Sequence, residues 1–205
     1  DIGVTGVQTC ALPISAAVRV GAAVPRAASG PAGPAAALVE DPVSALPRVR
    51  APAVALARRY ARWRCGAGLD GVYVSGLAHA RAALAAGPVL LAANHVGWWD
   101  GILTLVVDDA LGAEVESRVV TEAATVRRLP FLAWMGFVPL RPGALRGLSG
   151  FLDRPGRAVW IFPQGKHRPA HLRPLGFQPG AAFVARGGAT VLPVSIQYLF
   201  RDHPS

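Results

Sequence analysis

The run Asn94-His95-Val96-Gly97-Trp98-Trp99-Asp100 sets an imidazole and a carboxylate five residues apart, residue types suited to drawing a proton from a hydroxyl. On one continuous helix the two would sit about 140° apart and could not meet. They can pair only if His95 occupies the turn before a helix and Asp100 the helix's first turns. Asp100 would then hold one imidazole nitrogen, fix the tautomer and support the imidazolium that forms, leaving the other nitrogen to accept a proton. The ordinary alternative is a His near a helix cap and an Asp at a helix start, where negative charge is favourable in any protein.

Three later segments carry residues of related use. Gly136-Phe137-Val138-Pro139-Leu140-Arg141 is a glycine-led apolar strand ending in a guanidinium, which could hold an anion or simply be a solvated charge. Phe162-Pro163-Gln164-Gly165-Lys166-His167-Arg168 follows another apolar run. Gly165 permits backbone geometry that turns amides toward an anion, and Lys166 and Arg168 add fixed cations; a basic hairpin turn is the plain alternative. Val191-Leu192-Pro193-Val194 is an apolar run that any core strand would explain.

The elements that must position these groups alternate. PVLLAANH reads as a buried strand opened by Pro88, and GILTLVVDDALG as the helix after it. SRVVTEA, GFVPLR, RAVWIFPQG and TVLPVSIQYLF have strand character. AVALARRYARWRCG and LAHARAALAAG read as helices closing near Gly66 and Gly87. The expected fold is therefore α/β: a single domain with a central, mostly parallel or mixed sheet flanked by helices, and His95 and Asp100 at a strand-to-helix junction. Ligands of such sheets bind at that edge.

Residues 1–15, DIGVTGVQTCALPIS, resemble a translated sequencing adapter and are set aside from the fold. Residues 16–52 are rich in Ala, Pro and Gly and are expected to be a linker or disordered lead-in. Residues 53–205 then form the catalytic domain, expected to be cut short at its C-terminal end.

Hydrophobic residues make up 52% and charged residues 16% of the chain, which excludes global disorder. The net charge is +9, with Lys166 the single lysine. That excess favours anionic headgroups, phosphorylated substrates or acidic carrier proteins. It is scattered and accompanied by no nucleic-acid signature, so no nucleic-acid partner is expected. The longest apolar run, residues 82–93, is too short to span a bilayer and is broken by Gly87 and Pro88. Cys10 and Cys65 have no spacing typical of a metal site or disulfide framework, which suits a reducing compartment.

In order and spacing, the four segments resemble the four sequence blocks of the glycerol-phosphate and lysophospholipid acyltransferase family: NHxxxxD, GxxxxR, FPEGTR and an apolar block with proline. The resemblance spans roughly residues 85–196. It implies His95 and Asp100 as the catalytic pair. It implies Arg141, Gly165 and Arg168 as holders of the acceptor's phosphate, with Asn94, Gln164, Lys166 and Pro193 as further substrate-binding positions. Gln164 stands where the family usually has glutamate, Lys166 where it has threonine, and Thr121-Glu122 where Lys-Glu is common. The charge around the acceptor therefore differs while the His-Asp pair is kept.

The activity implied is transfer of a fatty acyl group from acyl-CoA or acyl carrier protein to the hydroxyl of a lysophospholipid or glycerol-phosphate-like acceptor. The thioester is a co-substrate, and no cofactor or metal is called for. The implied location is peripheral, on the cytoplasmic face of the cell membrane. Arg127-Arg128 before Leu129-Pro130-Phe131 and the aromatic, cationic helix near Trp63 fit such contact, or ordinary packing. Two alternatives stand beside it: a non-phospholipid hydroxyl acceptor, and a non-catalytic lipid-binding relative. A metal hydrolase built on His167 and His171 is disfavoured, because Pro169 interrupts the helix that pair would need.

Overall fold

The computed structural model describes residues 14–23, 43 and 46–200; the expectations for residues 1–13, 24–42, 44–45 and 201–205 lie outside the described residues. Among the described residues, seven strands form one sheet: β1 (Ile14–Val20), β2 (Gly71–Ser75), β3 (Val89–Ala93), β4 (Glu116–Glu122), β5 (Phe137–Leu140), β6 (Arg157–Ile161) and β7 (Thr190–Phe200). The helices are α1 (Ala51–Gly68), α2 (Leu77–Ala86), α3 (Asp100–Leu111), α4 (Ala123–Arg128), α5 (Ala144–Phe151) and α6 (Gly180–Ala185), with a 3-10 helix at Pro130–Met135.

The strand order is β2-β1-β7-β3-β6-β4-β5. From β7 to β5 every neighbouring pair is parallel, whereas β1 runs antiparallel to β7 and parallel to β2. The sheet is thus mixed, and the expected α/β class is observed.

Alternation along the central strands divides the core in two. Val89, Leu91 and Ala93 of β3 face one side and pack with α1, α2 and α3, where Ala61, Ala80 and Val107 are fully buried. Leu90 of β3 and Val159 of β6 face the other side and pack with Leu148 and Phe151 of α5 and Val184 of α6. Each fully buried Leu or Phe contributes about 1.5–3 kcal/mol relative to exposure. With helices on both faces, ligands of such a sheet bind at the edge where the parallel strands end.

In one stretch the structure departs from the expected lead-in and set-aside N-terminus. Residues 14–20 form β1, hydrogen-bonded on both sides by β2 and β7. Val18 and Val20 are buried while Arg19 is exposed, the pattern of a strand with one covered face. Its Ala-rich sequence gives little apolar contrast, and its partners lie far along the chain. Strand β2 was also unforeseen. α1 begins with Pro52 in its first turn, where a missing N–H costs no helical hydrogen bond. Gly136 turns the chain into β5 at φ +98, with a carbonyl of Ser117 only 2.9 Å from where a Cβ would stand.

Candidate active site

Strand β3 ends at Ala93, and Asn94 to Trp99 make the turn into α3. His95 therefore lies before the helix and Asp100 in its first turn, the one arrangement in which the two can pair. His95 Nδ1 is 2.7 Å from Asp100 Oδ2. A carboxylate only accepts, so Nδ1 carries a hydrogen, and in the neutral ring the lone pair is then on Nε2. The His95 side chain is 22% exposed and that of Asp100 is 0% exposed, so the base can meet a substrate while its partner stays dry.

The buried carboxylate is fully engaged. Oδ2 also accepts the backbone N–H groups of Val96 at 2.7 Å and Gly97 at 3.0 Å. Oδ1 accepts the hydroxyl of Tyr198 at 2.5 Å. Burial, then the hydrogen bond to Asp100 and its charge, hold the Tyr198 phenol well above its ordinary range, so it remains a donor. Tyr198 escaped the sequence reading because it is simply one aromatic in an apolar strand.

The loop after β6 clamps His95 from the other side. Gln164, itself buried, accepts the His95 backbone N–H at 2.6 Å, and the Arg168 backbone N–H donates to the His95 carbonyl at 2.8 Å. The Phe162 ring stacks on the imidazole at 4.5 Å between centroids, and His167 meets it edge-on at 4.1 Å. The carbonyl end of Gln164 accepts this N–H as a carboxylate oxygen could, leaving its NH2 end as a donor. His167 drew notice in the sequence only as half of a metal pair with His171; the residues between them form no helix.

Asn94 fixes this end of β3 to β7. Its Nδ2 donates to the Ile196 carbonyl at 2.9 Å, and its Oδ1 accepts the Ile196 N–H at 2.6 Å. The amide is thus occupied by main chain.

Register locates the remaining predicted residues. Leu91, Trp160, Val119 and Phe137 form one row across β3, β6, β4 and β5. His95, Gln164 and Arg141 each lie four residues beyond that row, so all three emerge at the same edge. Arg141 is nevertheless three strand intervals from His95, about 14 Å between backbones. It is exposed and lines a separate hollow of about 280 Å³ with Leu140, Leu145, Arg146 and Phe183. Gly165 has φ +68, the left-handed geometry expected of its turn, and Lys166 beside it is exposed. The Arg168 guanidinium donates to the Pro174 carbonyl at 3.4 Å. Pro193 sits inside β7 opposite Ala92, and its carbonyl accepts the Gly21 N–H at 2.8 Å. The fold thus gathers His95, Asp100, Asn94 and Gln164 at one point, and sets Arg141 and Pro193 apart from it.

An oriented imidazole with a free acceptor nitrogen at the open edge of a parallel sheet suits removal of a hydroxyl proton. Among the described residues no group of three or more His, Cys, Asp or Glu is placed to hold a metal ion. A family model described as Acyltransferase matches residues 71–197. No solved structure matches the chain.

Proposed function

The chain belongs to the acyltransferase family, and from that premise we propose that it moves a fatty acyl group from a thioester, of coenzyme A or acyl carrier protein, to the hydroxyl of a lysophospholipid or glycerol-phosphate-like acceptor. The observation that carries this reading is the His95–Asp100 pair, with Nδ1 held and Nε2 available on a partly exposed ring.

In the proposed step His95 Nε2 takes the acceptor's hydroxyl proton as the oxygen attacks the thioester carbonyl. Asp100 supports the imidazolium. Collapse of the tetrahedral intermediate breaks the carbon–sulfur bond, and the departing thiolate recovers the proton. No bond forms between acyl group and protein. General-base help of this kind supplies about 10² to 10⁴ in rate. Orientation of acceptor and donor, and donors aimed at the developing oxyanion, supply the rest. The NH2 end of Gln164, beside His95, is suited to the acceptor oxygen.

The phosphate of such an acceptor would be met by Lys166 and the turn at Gly165, with Arg168 joining only by swinging from the Pro174 carbonyl, while Arg141, about 14 Å away across the sheet, would meet only an acceptor long enough to span that distance. That orientation of Arg168 favours a second reading, in which the acceptor is a hydroxyl compound without phosphate. Thiol release from an acyl thioester, followed with a panel of acceptors, separates the two. Release stimulated by lysophosphatidate or glycerol phosphate supports the first reading. Release only with uncharged alcohols supports the second, and no release with any acceptor contradicts both.

A further inference from the structure

Arg141 stands about 14 Å from His95, but it has company there. It shares its hollow of about 280 Å³ with a second guanidinium, Arg146, and with Leu140, Leu145 and Phe183. The hollow opens where β5 gives way to α5, and α6 supplies Phe183 from the side. Small-molecule sites begin at about 300 Å³, so this one suits one end of a long ligand rather than the whole of it.

Charge says which kind of end. Arg141 and Arg146 are exposed, and neither guanidinium has a hydrogen-bond or ion-pair partner among the described residues. Elsewhere Arg62, Arg154 and Arg157 each hold a carboxylate. From Ala123 to Phe200 the single Asp or Glu is Asp153, and Arg157 pairs with it. Glu122, opposite Leu140 in the β4–β5 register, lies outside the lining. An anion is therefore the favoured occupant. Leu140 and Phe183 are 50% and 40% exposed, so an apolar and aromatic wall faces the same space. A lone phosphate makes no use of that wall. A purine carrying phosphates uses both, since its ring can stack on phenyl or guanidinium.

Distance narrows the choice further. A phosphate held at Arg141 is too far from His95 for a compact acceptor such as glycerol phosphate, whose hydroxyl lies only a few bonds from its phosphate. A coenzyme A thioester has the matching reach. About twelve bonds separate its sulfur from the first phosphate oxygen, the span of about four extended residues, or roughly 14 Å. Two cationic points then serve two substrates: Lys166 and the Gly165 turn for the acceptor, and the hollow for the donor.

We propose that the hollow holds the nucleotide end of a coenzyme A thioester, with its phosphates on Arg141 and Arg146 and its adenine against Phe183. The pantetheine arm then delivers the acyl carbonyl to His95. This role rests on the reading that the donor is a thioester, and it selects coenzyme A, because the arm of an acyl carrier protein bears a phosphate but no purine.

Calorimetric titration of the full chain with coenzyme A, without acyl group or acceptor, tests the site apart from chemistry. Coenzyme A should bind about tenfold or more tightly than pantetheine, which lacks the phosphates and adenosine. An Arg141→Gln, Arg146→Gln variant with a native circular dichroism spectrum should bind coenzyme A about tenfold more weakly, bringing the two ligands close to level. Phe183→Ala, made separately, should weaken coenzyme A about fivefold or more. In turnover the arginine variant should raise the KM for acyl-CoA and not that for the acceptor. Undiminished coenzyme A binding by the variants, equal affinity of the unaltered chain for coenzyme A and pantetheine, or a raised acceptor KM overturns the proposal. So does a preference for an acyl carrier protein donor over acyl-CoA that the arginine variant loses. The expected binding differences without thiol release to any acceptor would instead contradict the acyl-transfer reading and leave the role of the hollow intact.

Discussion

Tyr198 and Gln164 carry the consequences that can be tested one side chain at a time. Tyr198 donates to the oxygen of Asp100 that faces away from His95, and it stays protonated because burial and the carboxylate both oppose its ionisation. Tyr198→Phe removes one donor from a dry carboxylate, a hydrogen bond to charge worth about 1.5–3 kcal/mol. Expressed in the transition state, that loss lowers kcat about tenfold or more. Steady-state turnover of the variant, with its spectrum unchanged, checks it. Gln164→Glu keeps an acceptor for the His95 N–H and should retain the fold, whereas Gln164→Leu strands that N–H and should destabilise by about 1–3 kcal/mol, read from urea midpoints. His95 and Asp100 were legible because their types and spacing admit a single pairing geometry. Tyr198 was not: it joins Asp100 across 98 residues and lies one residue beyond the segment that matches the family. The contact of His167 was hidden for a similar reason, since only folding brings its ring edge-on to that of His95.

Asn94 shows how strands hold the site together. Its two hydrogen bonds to Ile196 fasten the end of β3 to β7 just where the His95 turn begins. Asn94→Ala would leave the Ile196 N–H and carbonyl without these partners, at a cost of about 1–3 kcal/mol for a group left unsatisfied. A lowered urea midpoint and a fall in kcat are both expected, because the same turn places His95. At this scale the sequence spoke unevenly. Strands β3 to β7 were readable as apolar runs bounded by Pro, Gly and charge, and α1 to α3 as helices. β1 was missed because Ala16 and Ala17 contribute so little hydrophobic contrast, and β2 because Tyr73 faces outward from a strand of five residues. The sharing of one edge by His95, Gln164 and Arg141 followed from parallel strands. The roughly 14 Å between His95 and Arg141 did not, since it depends on strand order, which local pattern does not encode.

Across the whole molecule, the buried polar stripe of α3 ties stability to pH. Asp100, Thr104 and Asp108 recur every fourth residue on its inner face, and Asp108 is only 2% exposed. Burial pushes the Asp108 carboxyl above its ordinary value of 3.8, against the opposing pull of Ser117, Trp160 and Arg58. The folded chain thus binds this proton more tightly than the unfolded chain. The stability it contributes is fully present below about pH 4 and is lost as pH rises through the folded value. Asp108→Asn can still accept from Trp160 Nε1 and can donate to Ser117, so it should flatten this dependence in urea midpoints taken across pH. The central claim is that His95 is the base that activates the acceptor. Its most direct measurement is thiol release by the unaltered chain and by His95→Ala, with equal circular dichroism spectra. Turnover lower by about 10² or more in the variant is predicted; equal turnover would contradict the account.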